Sequence, residues 1–232
     1  YKRQLLLQRL PGCADYKESY RRGGMGVLRG LVAALRELHG RPQMLAQAEF
    51  CPSQIGTVKF TVNWTLDELG LDAFEPGDVV VHNDPYRGSG HVPEHMMLKP
   101  VFYNDKFFAF VANVAHMSEP GAKTPGGLSG DATEVFQEGL LLPPVKIRKR
   151  GVDDNDIWKI ILANHRTPKV TYGDFRAMMA SLDLAEVRLH ELLATYGADL
   201  VRHSCQELIT ISERRMRAEI AAIPNGVYTF ED

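Results

Sequence analysis

The sharpest apolar pattern in the chain is Asp78-Val79-Val80-Val81-His82, a β-branched run between Pro76-Gly77 and Asn83-Asp84-Pro85. A short run of this kind bounded by turn formers predicts a buried strand that ends in a turn. Leu98–Tyr103, then Asn104-Asp105-Lys106, then Phe107–Ala115 reads as a hairpin. Its second arm delivers His116 to the end where the first arm began.

Helical periodicity marks the flanks. Leu28, Leu31, Val32, Leu35 and Leu38 recur at helical spacing and predict a helix over 16–38, weakened by Gly23, Gly24 and Gly26 and stopped by His39-Gly40-Arg41-Pro42. Met44–Phe50 is an extended candidate and Cys51–Gly56 a turn. Thr57 is the expected cap of a helix reaching Leu69, with Trp64 in the core. Asp131–Glu138 allows one or two helical turns, and Arg148-Lys149-Arg150 reads as a surface basic cluster. Asp154–Asn164 predicts a short helix with Ile157, Trp158, Ile160, Ile161 and Leu162 mostly inward. Thr171 is the expected cap of a long helix from Tyr172 to Tyr196, which Gly197 stops, and Ala198–Ala222 is a second long helix. Pro224-Asn225-Gly226 should start a last strand, Tyr228–Asp232. The elements sum to an α+β fold: a mixed sheet with hairpins near the loops of interest, plus a C-terminal antiparallel pair of long helices.

Composition narrows the class. The 232 residues are 44% hydrophobic and 24% charged, which suits a soluble globular protein with a sizeable core. A net charge of -2 gives no electrostatic footprint for nucleic acid or an anionic membrane. No apolar run approaches the ~20 residues of a membrane span. The three cysteines, Cys13, Cys51 and Cys205, are far apart and odd in number, so they read as reduced, structural thiols of a cytoplasmic protein.

The chemistry is concentrated between Gly77 and Gly127. Four of the eight histidines, His82, His91, His95 and His116, fall there, with Asp84, Glu94 and Glu119 among them. If the hairpin returns His116 beside His91 and Glu94, two imidazoles and one carboxylate face a common point. Such a triad binds a first-row divalent metal and leaves positions open for substrate. The plainer reading is a set of loop histidines and acids capping surface turns. The glycine-rich run Gly121–Gly127 carries neither a dinucleotide nor a P-loop pattern, so nothing in the chain reads as a phosphate cradle.

Several phrases occur in an order that resembles the hydantoinase B family, which spans B subunits of ATP-dependent hydantoinases, the matching half of 5-oxoprolinase, and α-type subunits of acetone and acetophenone carboxylases. They include Glu75-Pro76-Gly77-Asp78-Val79, Asn83-Asp84-Pro85-Tyr86-Arg87-Gly88, Gly90-His91-Val92-Pro93-Glu94, Ala115-His116, Thr124-Pro125-Gly126, Glu138-Gly139-Leu140, Ile161-Leu162-Ala163-Asn164 and Gly173-Asp174-Phe175-Arg176. The resemblance implies that 1–232 is a single region, the N-terminal part of a longer subunit. It also implies metal ligands at a His, at an acid three residues later, and at a His 25 after the first. Those positions fall on His91, Glu94 and His116. Three departures stand out: Glu94 where Asp is usual, Met117 where a second His often follows, and Gln54 in place of a frequent His.

What the resemblance implies about activity is an ATP-dependent amidohydrolase or carboxylase subunit, active only in a hetero-oligomer with a hydantoinase A-type partner. The partner binds ATP and activates the substrate. This chain would complete the reaction at a divalent metal (Mn, Zn or Fe), with Asp84 and His95 supporting the ligands or moving protons and Arg87 receiving a carboxylate or phosphate. Arg87 is equally suited to a salt bridge that stabilises the turn. The wording around Asn83–Gly88 favours the branch that opens cyclic amides such as hydantoins or 5-oxoproline. The alternatives are a ketone carboxylase, taking a ketone plus bicarbonate, and a non-catalytic scaffold paralogue.

Overall fold

The computed structural model describes residues 42–46 and 56–230 in full and the backbone of 32–35. A seven-stranded sheet is the frame. Its strands are β1 (Val32–Leu35), β2 (Gln43–Met44), β3 (Val79–His82), β4 (Glu94–Tyr103), β5 (Lys106–His116), β6 (Val145–Lys149) and β7 (Val152–Asp153), in the order β2-β1-β5-β4-β3-β6-β7. The fold is α+β as expected, but every one of these pairings is antiparallel, so the sheet is not mixed.

The β4–β5 hairpin dominates the sheet. Asn104 and Asp105 both take positive φ, 50° and 60°, the backbone of a two-residue turn whose twist suits the paired strands. Lys106 opposes Tyr103 beside the turn, the pairing shifts by one residue between Val101 and Phe102, and at the far end His116 opposes Glu94. Each face of the hairpin buries its own layer. Met96, Leu98, Phe110, Ala112 and Val114 pack with Val80 under α1 (Thr57–Leu69). Met97, Val111 and Ala115 pack with Val79 and Val81 against α2 (Asn155–Asn164) and α3 (Pro168–Tyr196). Polar clasps fix α3 on the sheet: the Asn113 amide donates to Met178 O (2.8 Å) and Ser181 Oγ (2.8 Å), and buried Lys99 pairs with Asp183 (2.5 Å) and Glu186 (2.6 Å).

Several expectations need correction. Val32–Leu35 is a strand, not the end of a helix. The short apolar run suits either period, and the open side of β5 supplies backbone partners for it, Val32 opposite Ala112. The rest of that predicted helix, 47–50 of the extended candidate and most of the Cys51–Gly56 turn lie outside the described residues. Thr57 is the first residue of α1, and left-handed Gly56 (φ 85°) stands at its cap. Trp64 is 46% exposed; α1 turns Val58, Thr61, Val62 and Thr65 inward, which leaves Phe60 and Trp64 on its outer side. α3 starts a turn early because Pro168 occupies its first position, and Thr171 is buried inside it. Ile160 faces solvent, while Trp158 and Ile161 are buried.

The basic cluster is not wholly at the surface. Arg148 is largely covered, and its Nε donates to Asp153 Oδ1 (2.7 Å). The helix α4 (Ala198–Ala222) has the expected bounds, but among the described residues it packs only through its first half, where Val201 and Cys205 meet Leu193 and Phe108. Val227–Phe230 forms no strand, and its side chains are exposed. Among the described residues no helix is long and apolar enough to cross a membrane.

Candidate metal centre

Glu94 and His116 face each other because one begins β4 and the other ends β5. Just outside the pair the Met117 N–H donates to Pro93 O (2.8 Å). That places Glu94 and His116 in the pair type without mutual backbone bonds, where side chains approach most closely. His91 joins them from the loop that precedes β4. The Glu94 N–H donates to His91 O (2.9 Å), and Ser89 Oγ donates to Glu94 O (2.8 Å). Gly90 lies directly over the Glu94 carboxylate; a Cβ there would sit 3.2 Å from Glu94 Cδ and closer still to Oε2.

The donor atoms converge. His91 Nε2 lies 3.0 Å from His116 Nδ1 and 3.4 Å from Glu94 Oε1, and one ligand atom from each residue falls within 4.8 Å of the others. Two ligand atoms each ~2.1 Å from one ion stand ~3.0 Å apart at a right angle and ~3.4 Å apart at the tetrahedral angle. The donor set and the two shorter spacings therefore fit a first-row divalent ion. Glu94 is buried, while both histidines are partly exposed. An open cleft of about 270 Å³ lies beside His91, with Pro85, Tyr86, Gly90, Thr133, Glu134 and Glu138 among its lining residues.

The other expected site residues are placed differently. Asp84 is buried and organises the turn after β3. Its Oδ1 accepts from the Tyr86 N–H (2.9 Å), its backbone O accepts from Ser89 N–H (3.2 Å), and Oδ2 pairs with Arg87. Arg87 also pairs with Glu68 of α1. Gly88 (φ 98°) lets this turn approach the helix; a Cβ would stand 2.7 Å from Thr61 N.

His95 follows Glu94 on the strand, so its side chain goes to the opposite face of the sheet. There it is fully buried, with ring centroids 5.6 Å from His165 and 5.2 Å from Phe175. Burial, reinforced by the neighbouring His165, pushes its pKa down to about 3. His82, at the end of β3, is likewise held down to about 4 by burial, with Arg87 adding to and Asp84 opposing that shift. Neither His82 ring nitrogen has a hydrogen-bond partner among the described residues.

Two residues of the stretch prove to be fasteners. Asn83 is the hub between loops: its amide donates to Val92 O (2.7 Å) and Leu140 O (2.8 Å), and its Oδ1 accepts from the Leu142 N–H (2.6 Å). Glu119 Oε1 accepts from Arg166 (2.6 Å) and Oε2 accepts from the Gly126 N–H (2.7 Å). Burial works against its charge, but the Gly126 N–H and then Arg166 and the Gly121 N–H hold the carboxyl below its ordinary value. Sequence reasoning does not find Glu134 and Glu138 as cleft residues. Glu138-Gly139-Leu140 is visible as a phrase, yet no local pattern tells that it folds back over His91.

An antiparallel sheet that gathers two imidazoles and a carboxylate at one hairpin end, under loops pinned by buried polar hubs, defines the class: an α+β protein with three donor side chains that could hold a metal ion. The chain belongs to the Hydantoinase B/oxoprolinase family, whose profile matches residues 31–232. It is 37% identical over 201 residues to a putative D-/L-hydantoinase B-type chain of Pseudomonas sp. strain NS671, covering 85% of this chain and 34% of that one. It is 33% identical over 188 residues to the beta chain of caprolactamase from Pseudomonas jessenii, covering 81% and 32%. The fold matches the crystal structure of ATP-dependent caprolactamase from Pseudomonas jessenii with a TM-score of 0.86 at 27% identity, over 97% of this chain and 38% of that one. The chain thus spans about a third of the length of the curated relatives it matches.

Proposed function

We propose that this chain carries the metal centre of an ATP-dependent cyclic-amide hydrolase of the hydantoinase or oxoprolinase type, acting on substrate that an ATP-using partner has activated. The observation that carries the reading is the convergence of His91, Glu94 and His116 at the end of the β4–β5 hairpin, beside an open cleft. The relatives named as hydantoinase and caprolactamase subunits support the hydrolytic branch and a hetero-oligomeric enzyme.

His91, Glu94 and His116 would hold the ion by three donors and leave positions on the cleft side open. A divalent ion in such a set polarises a carbonyl and lowers the pKa of water. The protein's own part is orientation and exclusion. Ser89 and the Glu94 N–H fix the loop that presents His91. Asp84 and Arg87 brace the turn against α1 through Glu68. Buried, neutral His95 packs the opposite face of the strand that carries Glu94, where it stiffens the hairpin end.

The test uses the complete enzyme with its ATP-using partner. Protein purified without chelator should contain close to one divalent metal per chain and open a cyclic amide in an ATP-dependent reaction. A His91→Ala, His116→Ala double variant that keeps its full metal content would refute the ligand assignment. Bicarbonate incorporation into a ketone, without ring opening of any cyclic amide, would move the chain to the carboxylase branch.

A further inference from the structure

His82 is fully buried, and neither of its ring nitrogens meets a partner among the described residues. Register fixes its place. His82 stands opposite Met96, and Glu94 lies two residues before Met96 on the same strand. Residues two apart on a strand share a face, so His82 and Glu94 are diagonal neighbours on the α1 side of the sheet. That spacing, ~7–8 Å, lets an imidazole and a carboxylate reach one shared water.

The surroundings of His82 are polar. Thr61, Thr65 and Glu68 recur at helical spacing and form one stripe along α1. Both ends of the stripe meet the turn that follows His82. A Cβ on Gly88 would stand 2.7 Å from Thr61 N, and Arg87 pairs with Glu68. Thr65, between those ends, therefore faces the same turn. The Thr61 and Thr65 hydroxyls are buried and, like the imidazole, have no hydrogen-bond partner among the described residues. Buried polar groups that protein does not satisfy are satisfied by ordered water, which takes about two to four polar partners.

We infer that His82 is a positioning residue for the metal centre. With Thr61 and Thr65 it holds a buried water that donates to the Glu94 carboxylate and fixes that carboxylate toward the ion. The inference rests on the metal-centre reading above and deepens it. An ionised carboxylate offers about four lone-pair sites, so one that ligates an ion can still accept from a water. The ion's charge suits the arrangement: burial keeps His82 neutral, with its pKa held down to about 4, and a neutral imidazole adds no repulsion beside a dication.

The test is chelator competition for manganese and zinc on the assembled enzyme, with melting temperatures of the metal-stripped samples. His82→Leu should raise the metal Kd by ~10–100-fold, the usual effect of removing a group that orients a ligand. His82→Gln, which can still bond a water, should stay within about threefold of wild type. In a Glu94→Gln background His82→Leu should change Kd by less than about twofold, because the carboxylate it positions is gone. Thr65→Val serves if His82→Leu does not assemble, and should weaken metal binding by about threefold or more. An unchanged Kd in folded His82→Leu or in Thr65→Val would overturn the inference and leave the triad intact. So would equal losses in His82→Leu and His82→Gln, or a full effect of His82→Leu in the Glu94→Gln background. Wild-type enzyme that binds neither metal would overturn the metal-centre reading and this inference with it.

Discussion

Gly90→Ala tests whether Glu94 is a ligand without touching any ligand. Gly90 is solvent-exposed, and its φ is not in the left-handed region, so alanine costs the backbone little. The new Cβ would overlap Glu94 Oε2 and stand 3.2 Å from Cδ. To restore an ordinary contact the carboxylate must retreat by about 1 Å, several times the ~0.2 Å tolerance of a metal–ligand distance. Glu94 sits in a buried hairpin end opposite His116 and cannot swing freely. Metal affinity should therefore fall by ~10–100-fold, or ~1.4–2.8 kcal/mol. Global stability should change by less than ~1 kcal/mol, because the obstacle is the end of one side chain. Titration of apo protein with manganese and zinc, beside urea denaturation of the same samples, measures both. Metal affinity within twofold of wild type, in a variant series where His91→Ala abolishes binding, would refute the placement of Glu94 on the ion.

Three further outcomes follow from the same geometry. Glu94→Asp should retain metal with altered preference, and Glu94→Gln should weaken it strongly, since a neutral amide oxygen replaces an anionic one; equal Kd values for wild type and Glu94→Gln would remove Glu94 from the site. Asn83→Ala strands the Leu142 N–H and the carbonyls of Val92 and Leu140, so urea denaturation should show a loss of about 3 kcal/mol, at roughly 1 kcal/mol or more per orphaned buried group; a loss under ~1 kcal/mol would show that water replaces the hub. His82 is neutral when folded, with its pKa lowered from 6.5 to about 4. The unfolded chain takes up this proton first as pH falls, so the stability it contributes is present above pH 6.5 and lost between about 6.5 and 4, about 3 kcal/mol in all; in His82→Gln the pH dependence of unfolding should be flatter over that window.

Local signals are legible where local chemistry decides the outcome. Asn104-Asp105 permits positive φ at both positions and so places the turn, but the irregularity between Val101 and Phe102, which no local signal marks, is what sets Glu94 opposite His116. Gly197 and Ala198–Ala222 are equally legible, as a residue without a Cβ ends one helix and begins the next. The failures are places where a distant partner decides. Val32–Leu35 is a strand because β5 offers its open side. Trp64 faces outward because the sheet beneath α1 is already filled through Val58 and Val62.

The candidate site divides along the same line. His91, Glu94 and His116 can be chosen from sequence because a hairpin of any length returns its ends to one place, so spacing stands in for distance. His95 shows the limit of proximity in sequence: on a strand, one residue's step moves a side chain to the other face. Its neighbours there are His165 and Phe175, brought in by α2 and α3 from 70 and 80 residues further along the chain. For Arg87 the sequence leaves two roles open, a receiver of anions or a salt bridge that stabilises the turn; the structure shows it paired with Asp84, and Glu68 completes the set from α1. Glu138 is the opposite case. It has no visible partner and no visible role in the sequence, and only the fold-back over Val92 sets its carboxylate beside the histidine that opens onto the cleft. Long-range packing therefore decides what surrounds the three donors, while the hairpin brings Glu94 and His116 together and the loop before it adds His91.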